Sequence, residues 1–352
     1  MTRPFATAAA LVVALIAPAH AAPVYATLSG EAPLVIAHRG ASGYLPEHTL
    51  AGYELAIKMG ADVVEPDLQQ TADGVLVAIH DATLIRTTNV ADLFEPRNGG
   101  YRVADFTLAE IKTLTALPTR TASTSYPGYT PSMADPFRVP TFEEVMALVK
   151  AHNQATGDTV GIYPEAKTPN SFAMNAKILE QMQAYGFDGS VPNTFIQTFS
   201  HEGARQLAGM QDILAMDNAI AALGYVIKTG DAYGVYDATT QTVSALDDLA
   251  GFADGLGVNL GYDLDAGFIE AAHALGLAVH GWTFRPTTPE AAEAQFLPWI
   301  EAGMDGFFTD YPALAVGALD ALAPSQVPLP AGLPLLAAGL GAFAVVRRRT
   351  RA

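Results

Sequence analysis

Apolar and polar positions alternate along this chain in two different periods. Between residues 34 and 322, short unbroken apolar runs are separated by longer segments whose apolar residues recur at helical spacing. A short continuous apolar run predicts a strand buried on both faces, and helical spacing predicts an amphipathic helix. The expected strands are LVIAHRG (34–40), DVVEPDL (62–68), VLVAIH (75–80), TVGIYPEAK (159–167), TFIQTF (194–199), ILAM (213–216), GLGVNL (255–260), LAVHGWTF (277–284) and GFFTDYP (306–312). Between them, TLAGYELAIKMG, TFEEVMALVKAHNQ, FAMNAKILEQMQAYG, AGFIEAAHALG and EAQFLPWIEAGM read as helices, most of them running into a glycine suited to a helix C-terminus.

About eight such units fit, which predicts an α/β fold, a TIM-type (β/α)8 barrel in one domain. An open doubly wound sheet would need a glycine-rich phosphate loop after the first strand. RGASGY has two glycines but neither the full fingerprint nor an acidic residue at the distance that holds a ribose. Residues 92–138, rich in Pro, Gly, Ser, Thr and Tyr, and residues 218–254 do not fit the repeat. The first reads as a rim insertion with one short helix at TLAEIKTL.

Both ends break the pattern. Residues 1–22 carry Arg3, an apolar run and a final Ala19-His20-Ala21, the form of a secretory signal peptide. Residues 327–352 place an apolar stretch directly before Arg347, Arg348, Arg349 and Arg351, marginally long enough to span a bilayer with its arginines on the cytoplasmic side. This VPLPA segment resembles the C-terminal sorting signals of some Gram-negative bacteria. The expectation is an exported protein, periplasmic or at the outer surface, whose tail meets sorting and processing machinery or stays in the membrane. Residues 23–326 form the expected barrel domain.

Composition narrows the partners. Half the residues are hydrophobic, enough for a large core, and no cysteine is present, so no disulfide holds the exported fold. The formal net charge is −17; without the end segments, which hold five of the 19 basic residues and no acidic one, the body has 14 basic against 36 acidic residues, a net of −22. Such a body repels nucleic acid, and an anionic substrate would need positive charge gathered locally.

The unusual residues fall at strand ends, where a barrel carries its chemistry. His38 and Arg39 close the first expected strand, Glu65 and Asp67 the second, His80 and Asp81 the third, and Glu165 and Lys167 end TVGIYPEAK. Because strand side chains alternate, Glu65 and Asp67 share a face, as do Glu165 and Lys167, so two carboxylates can grip one cation. Cleaving a phosphodiester needs charge stabilised on the non-bridging oxygens, a proton taken from the nucleophile and one given to the leaving alkoxide. A metal with two basic side chains and a pair of histidines could meet those needs.

The stretch VIAHRGASGYLPEHTLAGYELAIKMGADVVEPDLQQTADGVLVAIHD, with YPEAK, IQTF, HGWTF and GFFTDYP further on, resembles the glycerophosphodiester phosphodiesterase family, in particular its exported bacterial branch. The likeness runs over residues 34–312; residues 101–138 and 218–254 are not part of it. It implies that His38 and His80 are the acid/base pair, that Glu65, Asp67 and Glu165 bind one divalent cation, Ca²⁺ in preference to Mg²⁺, and that Arg39 and Lys167 hold the phosphate. Oxygen ligands suit either ion and argue against zinc. Trp282 is expected at the rim, against the glycerol or the leaving group.

The expected reaction releases sn-glycerol 3-phosphate and an alcohol from a small glycerophosphodiester. One histidine, His38 by preference, would deprotonate the substrate's own 2-hydroxyl or a metal-bound water, and the other would protonate the leaving oxygen. Two alternatives stand beside it. A phospholipase D-like enzyme acting on lysophospholipids would draw on insertion aromatics such as Tyr101, Tyr126 and Tyr129; a catalytically inactive surface-anchored barrel would lack a residue of the set, and none is missing. Glu47, His48 and Asp310 read as supporting or capping residues, His152 and His273 as solvent-facing, and His201 as a helix start.

Overall fold

The structure, a computed structural model, describes residues 25–322. The expected signal peptide and C-terminal sorting segment lie outside the described residues. Strands in chain order are β1 (Leu34–His38), β2 (Val63–Glu65), β3 (Asp67–Gln70), β4 (Leu76–Ala78), β5 (Gly161–Ile162), β6 (Glu165–Thr168), β7 (Phe195–Thr198), β8 (Ala219–Thr229), β9 (Ala232–Asp237), β10 (Thr242–Ala245), β11 (Gly255–Asn259), β12 (Ala278–Phe284) and β13 (Gly306–Thr309).

The parallel ring closes through β1, which pairs with β13 on one side and β2 on the other. β2 runs into β3 through Pro66, and β5 into β6 through Pro164, because a proline has no N–H for the ladder. Tyr163 N–H to Val64 O and Glu165 N–H to Pro66 O, both 2.9 Å, carry the pairing across the two breaks. With β2–β3 and β5–β6 each taken as one strand, the order β1, β2–β3, β5–β6, β7, β8, β11, β12, β13 makes an eight-stranded barrel, as the sequence predicts.

Helices follow the barrel strands as the sequence spacing requires, among them Leu50–Lys58, Phe142–Thr156, Phe172–Tyr185, His201–Leu214 and Pro289–Ala302. Their starts are capped by the side chains of Thr49, Thr141, Ser171, Ser200 and Thr288, each accepting a backbone N–H that the helix leaves free. Ile36, Val63, Tyr163, Ala221 and Phe308 pack together inside the ring, so the barrel is filled rather than hollow. Two larger clusters lie between strands and helices.

Three expectations are corrected. VLVAIH contains β4, but this strand pairs antiparallel with β3 (Leu68 with Ala78) and leads out of the ring into the insertion, which packs its own core around Leu84, Phe106 and Ile111. ILAM is not a strand: Ile213 and Leu214 finish a helix, Ala215 turns left-handed at its end (φ 54°), and Ile213 is 84 % exposed. A four-residue apolar run cannot separate a helix end from a strand by periodicity. The missing barrel strand lies in the segment set aside as irregular. β8 pairs with β7 and β11 from Ala219 to Gly224, then leaves the ring and pairs antiparallel with β9 from Tyr225 to Thr229. Gly224 stands at that departure, where a Cβ would meet Tyr236 O at 2.4 Å.

Candidate active site

All eight residues singled out from the sequence, His38, Arg39, Glu65, Asp67, His80, Glu165, Lys167 and Trp282, line one cavity of about 180 Å³ at the C-terminal ends of the barrel strands. Glu65 and Asp67 flank Pro66, and the register sets Asp67 opposite Glu165. Carboxylate oxygens of Glu65, Asp67 and Glu165 lie within 4.8 Å of one another, and all three residues are buried. Lys167 Nζ sits 3.0 Å from Glu165 and 3.6 Å from Asp67. The Arg39 backbone N–H donates to Glu65 Oε2 at 2.9 Å, and its guanidinium lies 3.3 Å from Asp67. Arg39 achieves this in the left-handed backbone region (φ 62°), which costs a non-glycine residue about 1 kcal/mol.

The electrostatics show a site short of positive charge. Burial, with repulsion from Asp67, pushes the Glu65 carboxyl well above its ordinary range, and burial pushes Glu165 up to about 8. For Asp67 burial acts upward too, but Lys167, His48 and Arg39 outweigh it and hold the group well down. Three buried carboxyls facing one another without enough counter-charge, and offering only oxygen, fit a hard divalent cation. The residues present could bind a metal.

Each histidine is oriented by an aspartate. His38 Nδ1 is 2.6 Å from Asp310 Oδ1, and His80 Nδ1 is 2.6 Å from Asp81 Oδ1. Asp310 is itself held by Arg285 (2.7 Å) and Arg120 (3.1 Å), and Asp81 by Arg86 (2.6 Å). Arg86 also clasps buried Glu47 with two bonds of 2.9 Å, and Glu47 reaches Arg39 at 3.2 Å. Burial lowers His38 to about 4 despite Asp310, and burial, helped by Arg39 and Lys167, lowers His80 to about 4. At neutral pH both rings of the substrate-free protein are therefore neutral, able to accept a proton.

Supporting residues divide in physical ways. His48 Nε2 meets Asp67 at 2.8 Å while its Nδ1 meets the Tyr53 hydroxyl at 2.7 Å, so it props a carboxylate of the cluster. Gln197 Nε2 donates to Glu65 Oε1 at 3.2 Å, and nothing in TFIQTF singled it out. Asp310 orients His38; its place after the last barrel strand was the available signal, whereas Arg285 and Arg120 had none. His201 is buried against Leu223 O and Ser244, His152 pairs with Asp158 and His273 with Asp305, all away from the cavity. The insertion tyrosines pack elsewhere too: Tyr101 on Phe106, Tyr126 on Tyr44, and Tyr129 through its hydroxyl to Glu54. The aromatic side of the cavity is instead Phe199, Trp282 and Phe308.

Residues 38–314 match the model of the glycerophosphoryl diester phosphodiesterase family. The chain belongs to this family. A glycerophosphodiester phosphodiesterase of Bacillus subtilis (strain 168) is 33 % identical over 304 residues, covering 85 % of this chain and 91 % of the relative. One from Haemophilus influenzae is 39 % identical over 187 residues, 49 % of this chain and 51 % of that protein, so the chain matches about half the length of that relative. Among solved structures, an Oleispira antarctica phosphodiesterase in complex with the product sn-glycerol-3-phosphate superposes with a TM-score of 0.60 at 22 % identity, covering 84 % of this chain and 99 % of that one. At that identity the likeness establishes the shared barrel fold.

Proposed function

We propose that the protein is a metal-dependent glycerophosphodiester phosphodiesterase that releases sn-glycerol 3-phosphate and an alcohol. The observation that carries this reading is the convergence of two aspartate-held imidazoles, a buried tricarboxylate cluster and two basic side chains on one cavity. Membership of the family, together with the Bacillus subtilis relative and the product complex of the Oleispira antarctica phosphodiesterase, supports the substrate class.

Glu65, Asp67 and Glu165 would hold the divalent cation, which when bound supplies charge that offsets the phosphate's non-bridging oxygens. Arg39 and Lys167 add fixed positive charge on the same side and orient the diester. His38, kept neutral by burial, takes the proton of the attacking hydroxyl: water would release the alcohol and sn-glycerol 3-phosphate directly, whereas the glycerol 2-hydroxyl would release the alcohol and leave a cyclic phosphate that water then opens to sn-glycerol 3-phosphate. Asp310 stabilises the imidazolium that results. His80 gives a proton to the departing alcohol oxygen. Asp81 favours its charged form, and the arriving phosphate anion acts in the same direction. The oxygen-only donor set supports Ca²⁺ or Mg²⁺, with Ca²⁺ the expected ion.

The test is product formation from glycerophosphocholine by the full chain, before and after EDTA and after Ca²⁺ or Mg²⁺ is restored. Activity should fall at least about a hundredfold on chelation and return with Ca²⁺; activity indifferent to EDTA overturns the role given to the three carboxylates. Export to the periplasm or outer surface of a Gram-negative bacterium is part of the same proposal. Its support is residues 1–22 and 327–352, and fractionation of cells expressing the full chain checks it. Among the described residues no helix is long and apolar enough to cross a membrane.

A further inference from the structure

One wall of the cavity carries a second arrangement. Phe199 directly after β7, Tyr225 where β8 leaves the ring, Tyr262 after β11 and Trp282 in β12 pack against one another although they are far apart in sequence. Ring centres of Phe199 and Trp282 are 5.6 Å apart at 77°, Tyr225 and Trp282 5.6 Å at 71°, and Tyr225 and Tyr262 4.8 Å at 57°. Phe199 and Trp282 line the reaction cavity itself, Tyr225 is half-buried, and Tyr262 is 68 % exposed. Tyr262 is held there in the left-handed backbone region (φ 60°), where a tyrosine is strained.

We propose that these four rings form a corner that takes the quaternary ammonium head of a choline ester, so that glycerophosphocholine is the preferred glycerophosphodiester; this rests on the phosphodiesterase reading above. Aromatic faces attract a cation through their ring quadrupole, and the attraction grows when water is excluded. Rings inclined to one another enclose a compact tetrahedral cation, whereas a sugar or inositol would be served by a flat parallel platform. A trimethylated nitrogen has no N–H, so it needs no acceptors. A primary ammonium would need several.

Lys167 argues for the same orientation. Its Nζ is 5.7 Å from the centre of the Phe199 ring, so the phosphate-binding side and the aromatic corner are adjacent, as the phosphate and nitrogen of a choline ester are. The buried Trp282 indole N–H has no hydrogen-bond partner, leaving one donor at the junction for an ester or phosphate oxygen.

The experiment compares kcat and KM of the full metal-loaded chain on glycerophosphocholine, on glycerophosphoglycerol and on the neutral isostere of the choline ester with a 3,3-dimethylbutyl head. The choline ester should exceed both others in kcat/KM by about tenfold. The exposed-site variant Y262A should raise KM for the choline ester several-fold more than it raises KM for glycerophosphoglycerol. Equal rates on the isostere and the choline ester, or equal losses on all three substrates, overturn the proposal. If no ester is cleaved the phosphodiesterase reading fails, and quenching of tryptophan fluorescence by choline then decides the corner separately. Saturable quenching weakened in Y262A supports it; quenching that does not saturate, or is the same in Y262A, overturns it.

Discussion

Aspartates and glutamates do opposite jobs at the two ends of this barrel. At the N-terminal end, Asp62, Asp254 and Asp305 each stand one residue before a barrel strand (β2, β11 and β13) and tie the neighbouring strand down twice. Each donates its backbone N–H to the carbonyl of Val35, Ile220 or Val279 and accepts the N–H of that same residue on its side chain, at 2.8, 2.9 and 2.7 Å. At the C-terminal end, Glu65, Asp67 and Glu165 face one another with too little positive charge. The first set satisfies backbone donors and sets register; the second leaves unmet electrostatic demand for a ligand to satisfy. The lesson is that an acidic residue at a strand end is structural when it stands alone and pairs with the backbone of the neighbouring strand, and functional when several carboxyls converge on one point, even where N–H groups also reach them.

The sharpest way to break this contrast is to remove the imidazoles. H38A and H80A should each cut kcat by roughly two to four orders of magnitude with the fold kept, measured by product release and circular dichroism; full activity in either removes that ring from the chemistry. Next comes D310N. Because the hydrogen bond and charge of Asp310 raise the His38 pKa against burial, the acidic limb of kcat/KM should lie below the ordinary histidine value of 6.5 in the native protein and move lower still in D310N. Turnover should fall on the order of a hundredfold, since the ring loses its orientation. An acidic limb that moves upward contradicts the assignment.

The smallest effects belong to the other end. D62A and D254A should each lower stability by about 1–3 kcal/mol by leaving a buried N–H unpaired, with kcat unchanged. D305A should cost more than either, because Asp305 also accepts from Leu28 N–H at 2.7 Å and pairs with His273 at 2.8 Å. Urea unfolding alongside activity measures both, and a loss of turnover without a loss of stability would erase the distinction between the ends.

Much of the site was legible because its parts are local. Glu65 and Asp67 at i and i+2, and Glu165 and Lys167 likewise, share a face by the pleat of a strand wherever that strand ends up, and the apolar runs before them identify the strands. The same signal failed at ILAM, where four apolar residues close a helix. It also failed at β8, whose second half abandons the ring for a hairpin, so the segment looked irregular although it begins as barrel. The three aspartates of the N-terminal end carried a readable mark, a lone acid directly before an apolar run, which means nothing until the neighbouring strand is known.

What the sequence by itself determined is the alternation of strand and helix, the eightfold repeat and the kinds of side chain delivered to the strand ends, because each depends on residues a few positions apart. Tertiary structure alone decided that His38 meets Asp310 across 272 positions, that Arg86 bridges Glu47 to Asp81, and that four rings from separate strands and loops form one corner. Those meetings depend on closure of the ring and on the register between strands, which come from the packing of the whole barrel and from no short stretch of it.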